Sequence, residues 1–439
     1  MKLNIRNTAV ILAFFLSIVQ VCQAAGDNYD IRFRTVFYFY PGSEDINLSQ
    51  VKNSFSSFEF VDQLPEVSLK PVASLSVIKD VKNAYPVPGL DYLAYFGRGV
   101  DKQQATQIQA SSLALVIDVA YPLESSLSSL KKVTQSVFSY ADSVGALIWD
   151  SETRELFTAA AWQSKRLNAW RGLVPNIDEQ TVIHAYQHNE GIRAITLGMA
   201  KFGLPDIVVN NFSWSQNRSM GNLINFMGQS LIEGVLPNDN DMLELNISEL
   251  RETRFKKELV AGLKENAVSN ISIQIGDGKW EKGDPENYII EVLFNNIEGT
   301  SLSEQQDTLL SSLFGWEDEV SYVKHNKLIE AASQQAKSKL NQLRADFNNG
   351  LNPGEFIGLK APFTTPDGGV EWMWVEVQSW EGMKIKGLLK NEPLYIPSLK
   401  GGSEVDINQN DIFDYIRHYP DGTSEGNETG ALIKQFQVN

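Results

Sequence analysis

The stretch Val370 to Trp380, VEWMWVEVQSW, sets three of the nine tryptophans and two glutamates within one short run of the 439-residue sequence. Side chains on a strand alternate between faces, so Met373, Val375 and Val377 form one apolar face, while Trp372, Trp374, Glu376 and Gln378 share the other. Two indoles beside a carboxylate can stack on a flat or sugar-like ligand while Glu376 accepts hydrogen bonds, which makes Trp372, Trp374 and Glu376 the candidate ligand-binding set. Indoles also fill small cores, and a second reading stands beside the first: Trp374 closes the end of a barrel against Tyr415. Glu371 and Glu376 do not form an acid–base pair, because residues five apart on a strand face opposite ways and cannot flank one bond. Asp411 and Asp414 fail in the same way if their segment is a strand.

His184 and His188, in TVIHAYQHNEGIRAITLGM, are the only close pair among the four histidines. Asn189-Glu190-Gly191 between two β-rich runs predicts a hairpin that places His184, Tyr186 and His188 on one strand face. With Glu190 they are weak candidates for zinc ligands, but a third strong ligand and the HExxH pattern are both missing. Asp406-Ile-Asn408-Gln-Asn410-Asp411 begins like a calcium loop. It then places Asp411 where the turn needs glycine and Arg417 where a bidentate glutamate is needed, so it reads as a turn. The sequence contains no G-x-S-x-G elbow, Walker loop or G-x-G-x-x-G fingerprint, so no catalytic residue and no cofactor is assigned.

The elements that must position these groups fall into an α+β pattern. IRFRTVFYFYPG alternates as a strand, and Leu113–Val119, Ala146–Trp149 and Ile207–Val209 are further strand-like runs. Helical periodicity covers Leu123–Ala141 and Gly221–Glu233, which predicts a mixed α/β domain over residues 27–238. LPNDND at 236–241 reads as a linker, and the order βαββα over 239–320 predicts a small unit with a sheet of its own. In that unit Ser248 is the expected cap of a helix reaching Asn266, and Ser301 or Ser303 the cap of a helix over Leu302–Phe314. Ile329, Ala332, Ala336, Leu340, Leu343 and Phe347 then stripe one face of a long amphipathic helix over 324–348, read as a linker helix that packs on the chain's own domains. Beyond Pro353 the strands are short and turns frequent, as in a small, twisted, barrel-like β domain.

Composition bounds the setting. The chain opens with Lys2 and Arg6, an apolar run from Thr8 to Val19, and Cys22-Gln23-Ala24. That is the pattern of a secretory signal peptide over residues 1–24, with an apolar run too short to span a bilayer, and it predicts a periplasmic or secreted protein without a transmembrane anchor. Cys22 is the only cysteine, so the mature chain must be stable without disulfides. A net charge of −16 repels phosphate backbones and anionic lipid, which argues against nucleic acid as a partner.

FIGLKAPF, EWMWVEV, IKGLLKNEP, the Gly402 to Val405 turn, DIFDYI and SEGNETG resemble, in this order, the bacterial YegJ-like family, a domain of unknown function numbered 2314. The resemblance covers residues 353–434. It implies a small strand-rich module and no established activity. Where members commonly read Glu-His-x-Trp this chain has Glu371-Trp372-Met373-Trp374, and where many read Asp-Trp it has Asp414-Tyr415. Upstream, RAITLGMAKFGLPDIVV is loosely similar to segments that accompany this domain. The whole reading favours an exported, non-enzymatic binding or interaction protein with an unidentified protein or small-molecule partner. An enzyme of unidentified, hydrolytic activity and a structural protein without a small ligand remain as alternatives.

Overall fold

The computed structural model describes residues 30–43, 45–188, 191–213, 216–263, 267–314, 327–366, 370–393, 395–421, 423–430 and 432. The expected signal segment and Glu190 lie outside them. The fold is α+β, built on three sheets.

The first sheet takes β1 (Asp30–Tyr38), β2 (Glu59–Phe60), β3 (Val72–Ile78), β4 (Gly97–Arg98), β5 (Ala114–Pro122), β6 (Leu147–Asp150) and β7 (Glu155–Phe157) in the order β2-β3-β5-β1-β6-β7-β4. The alternation in β1 has a direct consequence. Ile31, Phe33 and Phe37 enter one core, while Val36 and Tyr38 enter a second core on the opposite face, so the strand is covered on both sides where it runs through the middle of the sheet. The first helix of the expected pair, α1 (Ser126–Val144), ends at Gly145, whose φ of +70° is the left-handed stop that glycine adopts without strain.

The second sheet takes β8 (Val182–His188), β9 (Gly191–Leu197), β10 (Asp206–Phe212), β11 (Met242–Asn246), β12 (Asn270–Asp277) and β13 (Ile289–Leu293) in the order β11-β12-β13-β10-β9-β8. The βαββα order expected over 239–320 is present, but these strands have no sheet to themselves. β13 pairs in parallel with β10, Asp206 opposite Ile289, so they extend the sheet that begins at residue 182. The reason is burial. Leu243, Leu245, Ile273 and Ile290 join one apolar core with Phe33 and Tyr121 of the first sheet, Val137 of α1, and Met220 and Phe226 of α2 (Asn217–Ile232). The helix following β11 starts at Thr253, not at Ser248, because the Glu252 carboxylate accepts from the Phe255 N–H at 2.5 Å and caps it.

The third sheet takes β14 (Phe356–Thr364), β15 (Val370–Glu381), β16 (Lys384–Leu389), β17 (Glu404–Asn408), β18 (Asp414–His418) and β19 (Ser424–Gly426) in the order β17-β16-β15-β14-β18-β19. In a flat sheet β17 and β18 would stand four spacings apart, about 19 Å. Only residues 409–413 join them, and 409–411 form a tight 3₁₀ turn. Six Cα steps reach about 20 Å when fully extended and less through such a turn, so the sheet has to curl toward a barrel. The stripe of the long helix α3 (Lys327–Asn349) packs on the chain's own C-terminal sheet. Ala336, Leu340 and Leu343 share a core with Ile357, Leu359 and Trp380, so the helix closes one side of the curled sheet. The loop 390–403 covers another part, where Ile396 packs on Met373 and Val375.

Candidate functional site

β15 carries the aromatic stretch, and strand parity works as far as residue 377. Met373 and Val375 are fully buried and Val377 nearly so, whereas Trp372 and Trp374 are half-buried on the outer face. Trp374 therefore does not close the barrel against Tyr415. That place belongs to Trp380, which shares the inner core with Tyr415 and donates its indole N–H to Gln409 Oε1 at 3.0 Å. Parity alone would put Trp380 outside. A bulge between Val377 and Ser379 turns the strand over, and Gly387 lies across from it where any Cβ would collide with the Glu376 carbonyl.

The outer face is tied together pairwise. The Phe413 ring lies 4.7 Å from Trp372, and the Lys360 ammonium stands 5.8 Å from the centre of the Trp374 ring. Glu376 is bound to Lys390 at 2.8 Å. Glu371 faces the other way and accepts from the Tyr395 N–H at 3.2 Å, as alternation requires. Asp414 is buried and accepts from the Thr429 N–H at 3.0 Å.

Beside this face opens a groove of roughly 560 Å³. Its walls are Pro362 and Thr364 at the end of β14 and Asp406 and Asn408 on β17, with Ala361, Phe363 and Ile407 as an apolar floor. Lys384 and Asp411 complete the rim. The outer-face residue Trp372 is not part of the lining but is the cross-strand neighbour of Pro362, one of the walls. Sequence reasoning read Asp406, Asn408 and Asp411 only as a turn and passed over Pro362, Thr364 and Lys384. The signal was Pro362, since a proline inside a strand implies that its N–H side faces no partner strand. The calcium-like run lies on the same rim, where Asn408 Oδ1 accepts from the Asn410 N–H at 3.0 Å and holds the turn.

The histidine pair does share a face of β8, but its members are about 13 Å apart by strand rise and serve different neighbours. The His184 ring packs 4.8 Å from Phe96, and His188 Nε2 contacts Glu281 at 3.1 Å. Burial, with Arg154 adding to it, lowers the His184 pKa to about 4, and its buried Nε2 finds no hydrogen-bond partner among the described residues. Among the described residues no three His, Cys, Asp or Glu side chains converge to hold a metal ion.

The strongest cluster of ionisable groups lies elsewhere, between the first two sheets. Arg166 is buried and donates to Asp150 at 3.3 Å and to Glu155 at 2.7 Å, and Lys201 reaches Asp150 at 3.1 Å. Burial alone would raise Asp150, but Lys201 and Arg166 outweigh it and hold the carboxyl at about 2. Glu152, raised to about 7 by burial and then by Asp150, and Asp206, raised to about 6 by burial, lie nearby in the chain fold. Asp206 accepts from Thr196 Oγ1 at 2.8 Å and Asn287 Nδ2 at 2.7 Å. Asp150, Glu155, Arg166 and Lys201 pair with one another and join loops of the two sheets, although Arg166 Nε finds no hydrogen-bond partner among the described residues, while Asp206 is held by Thr196 and Asn287.

Comparison with known families follows this geometry. Residues 326–436 match the family described as an uncharacterized protein conserved in bacteria, DUF2314. The match begins at α3 rather than at residue 353, in keeping with the packing of that helix on the curled sheet. No curated protein and no solved structure matches the chain. Among the described residues no helix is long and apolar enough to cross a membrane.

Proposed function

We propose that this chain is an exported, non-enzymatic binding protein whose ligand docks on the C-terminal curled sheet, in the groove between β14 and β17 and against the neighbouring Trp372. The observation that carries this reading is the groove's composition: an apolar floor, a polar rim, and a volume within the usual range of ligand sites. His184, Glu152 and Asp206, whose acidities are strongly shifted, lie in the N-terminal part of the fold and not at this groove, which favours binding over acid–base chemistry here. Export rests on the opening residues, and finding Ala25 or Gly26 as the N-terminus of envelope-derived protein supports it.

The groove is tested by screening peptides, oligosaccharides and small polar molecules by saturation-transfer NMR against the natural chain and Thr364→Trp. Thr364 is exposed on the groove wall, so the indole fills the site without touching the core. Ligands lost on that substitution support the assignment. Ligands that bind both proteins equally move the site elsewhere.

A further inference from the structure

Among the described residues, the groove is a gap between two strand edges that no strand pairs. Antiparallel ladders alternate, so a residue whose backbone bonds to one neighbour strand leaves that strand's other side to the next residue. On β17, the Gln409 N–H donates to the Met383 carbonyl and the Leu389 N–H to the Ser403 carbonyl, both at 2.9 Å. The register between them makes Val405 and Ile407 the residues bonded to β16 and turns the backbone groups of Asp406 and Asn408 outward. On β14, the Lys360 carbonyl accepts from the Phe413 N–H at 2.8 Å on the side away from β15. By the same alternation the Pro362 carbonyl and the Thr364 N–H and carbonyl point that way as well. β18 pairs with β14 only from Phe356 to Lys360, and among the described residues no strand takes up the edge beyond it. The four residues so identified, Pro362, Thr364, Asp406 and Asn408, are the walls of the groove.

We infer that this gap takes an extended peptide segment of a partner protein, which enters as an added strand between β14 and β17. The inference rests on the binding reading above and names the class of ligand. A small molecule could fill the volume, but backbone donors and acceptors on both walls at strand spacing match what another backbone presents. β14 and β17 run in opposite directions through the antiparallel series, so the segment lies antiparallel to one wall and parallel to the other. Its inward side chains meet Phe363 and Ile407 and are apolar. Its outward side chains pass the rim, where the exposed carboxylates of Asp406 and Asp411 outnumber the Lys384 ammonium. The fitting partner is therefore an alternating apolar and basic segment, the complement of this acidic chain. Edges left open in this way invite pairing, which proteins otherwise block.

The experiment is calorimetric titration of the full chain with an acetylated, amidated hexapeptide alternating lysine and valine. Three comparisons accompany it: the same peptide N-methylated at alternate backbone nitrogens, a glutamate–valine peptide, and the variant Asp406→Pro. That proline removes the outward N–H at an edge where proline is tolerated. The expected result is binding of the first peptide that weakens by at least about tenfold in each comparison. N-methylated peptides that bind as tightly as the parent whichever set of nitrogens is blocked would overturn strand addition while leaving groove binding in place. No binding at millimolar peptide overturns the inference. So does concentration-dependent dimerisation, lost in Asp406→Pro, because the occupant would then be a second copy. If Asp406→Pro shifts the thermal midpoint, the N-methylated and glutamate peptides still decide the matter on the natural chain.

Discussion

Arg166 and Asp406 belong to two regions that carry charge in opposite ways. Between the first two sheets, Asp150, Glu155, Arg166 and Lys201 are each nearly devoid of solvent and pair with one another at hydrogen-bond distance. At the gap in the third sheet, Asp406, Asn408 and Asp411 are exposed and line the groove. The first region holds displaced acidities, yet it is the second that we propose as a docking site. A shifted acidity records burial and neighbours, and it marks a site only when a cavity opens on it. In the N-terminal body the charges lock loops of two sheets together, whereas in the C-terminal module exposed polar groups line a groove.

The comparison breaks most readily at Arg166. Replacing it by methionine leaves Asp150 and Glu155 buried without their guanidinium partner, and the expected cost is about 3–5 kcal/mol of stability, read from the urea midpoint of unfolding. A loss under about 1 kcal/mol would mean that water reaches the cluster and that it is not the closed lock described here.

In the C-terminal module the corresponding anchor is Trp380, which is 2% exposed and bonded to Gln409. Trp380→Ala removes a buried indole from the centre of the curled sheet and should cost about 3–5 kcal/mol. The loss should appear in the transition of the strand-rich module, with near-ultraviolet circular dichroism as the probe. An unchanged transition would place the core of that module elsewhere.

Acid separates the two regions further. Asp150 titrates at about 2 in the fold against an ordinary value near 4, so its contribution is present above pH 4 and is lost as pH falls from about 4 to 2, on the order of 2 kcal/mol. His184 acts over a different window. It is neutral in the fold down to about pH 4, while the unfolded chain takes up its proton near 6.5. Its contribution is full above pH 6.5 and falls as pH drops toward 4. The penalty of His184→Gln should therefore be smaller at pH 5 than at pH 7.5, measured by denaturation at both; an equal penalty would mean that the histidine titrates normally.

Local pattern was legible where burial follows sequence period. The alternation of β1, the span Leu302–Phe314 and the stripe from Ile329 to Leu343 all lie where periodicity places them. What escaped were the long-range choices. Nothing near residue 240 announces that β13 will pair with β10, because that pairing joins strands some eighty residues apart and depends on a shared core. The bulge after Val377 also leaves no local mark, so the same alternation that placed Trp372 and Trp374 correctly outside would misplace Trp380. The groove was half legible: Pro362 signals an unpaired edge, but the opposing wall on β17 comes near only because the sheet curls.

The smallest expected effect concerns the two outer indoles. The sequence reading in which Trp374 closes the barrel while Trp372 stays on the ligand face predicts a large difference between their alanine variants. Their half-burial on the outer face predicts near equality instead. Trp372→Ala gives up contact with the Phe413 ring, and Trp374→Ala gives up the Lys360 ammonium above its face. Neither opens a cavity in the inner core, so each should cost less than about 1.5 kcal/mol, well below Trp380→Ala. Their difference should appear on titration with the lysine–valine peptide. Trp372 is the cross-strand neighbour of the groove wall Pro362, so its fluorescence should change on binding and Trp372→Phe should abolish that change. Trp374 lies one pair farther along, opposite Lys360, and Trp374→Phe should leave the change intact. A signal that follows Trp374 instead would shift the contact surface away from the gap and onto the Lys360 side of the sheet.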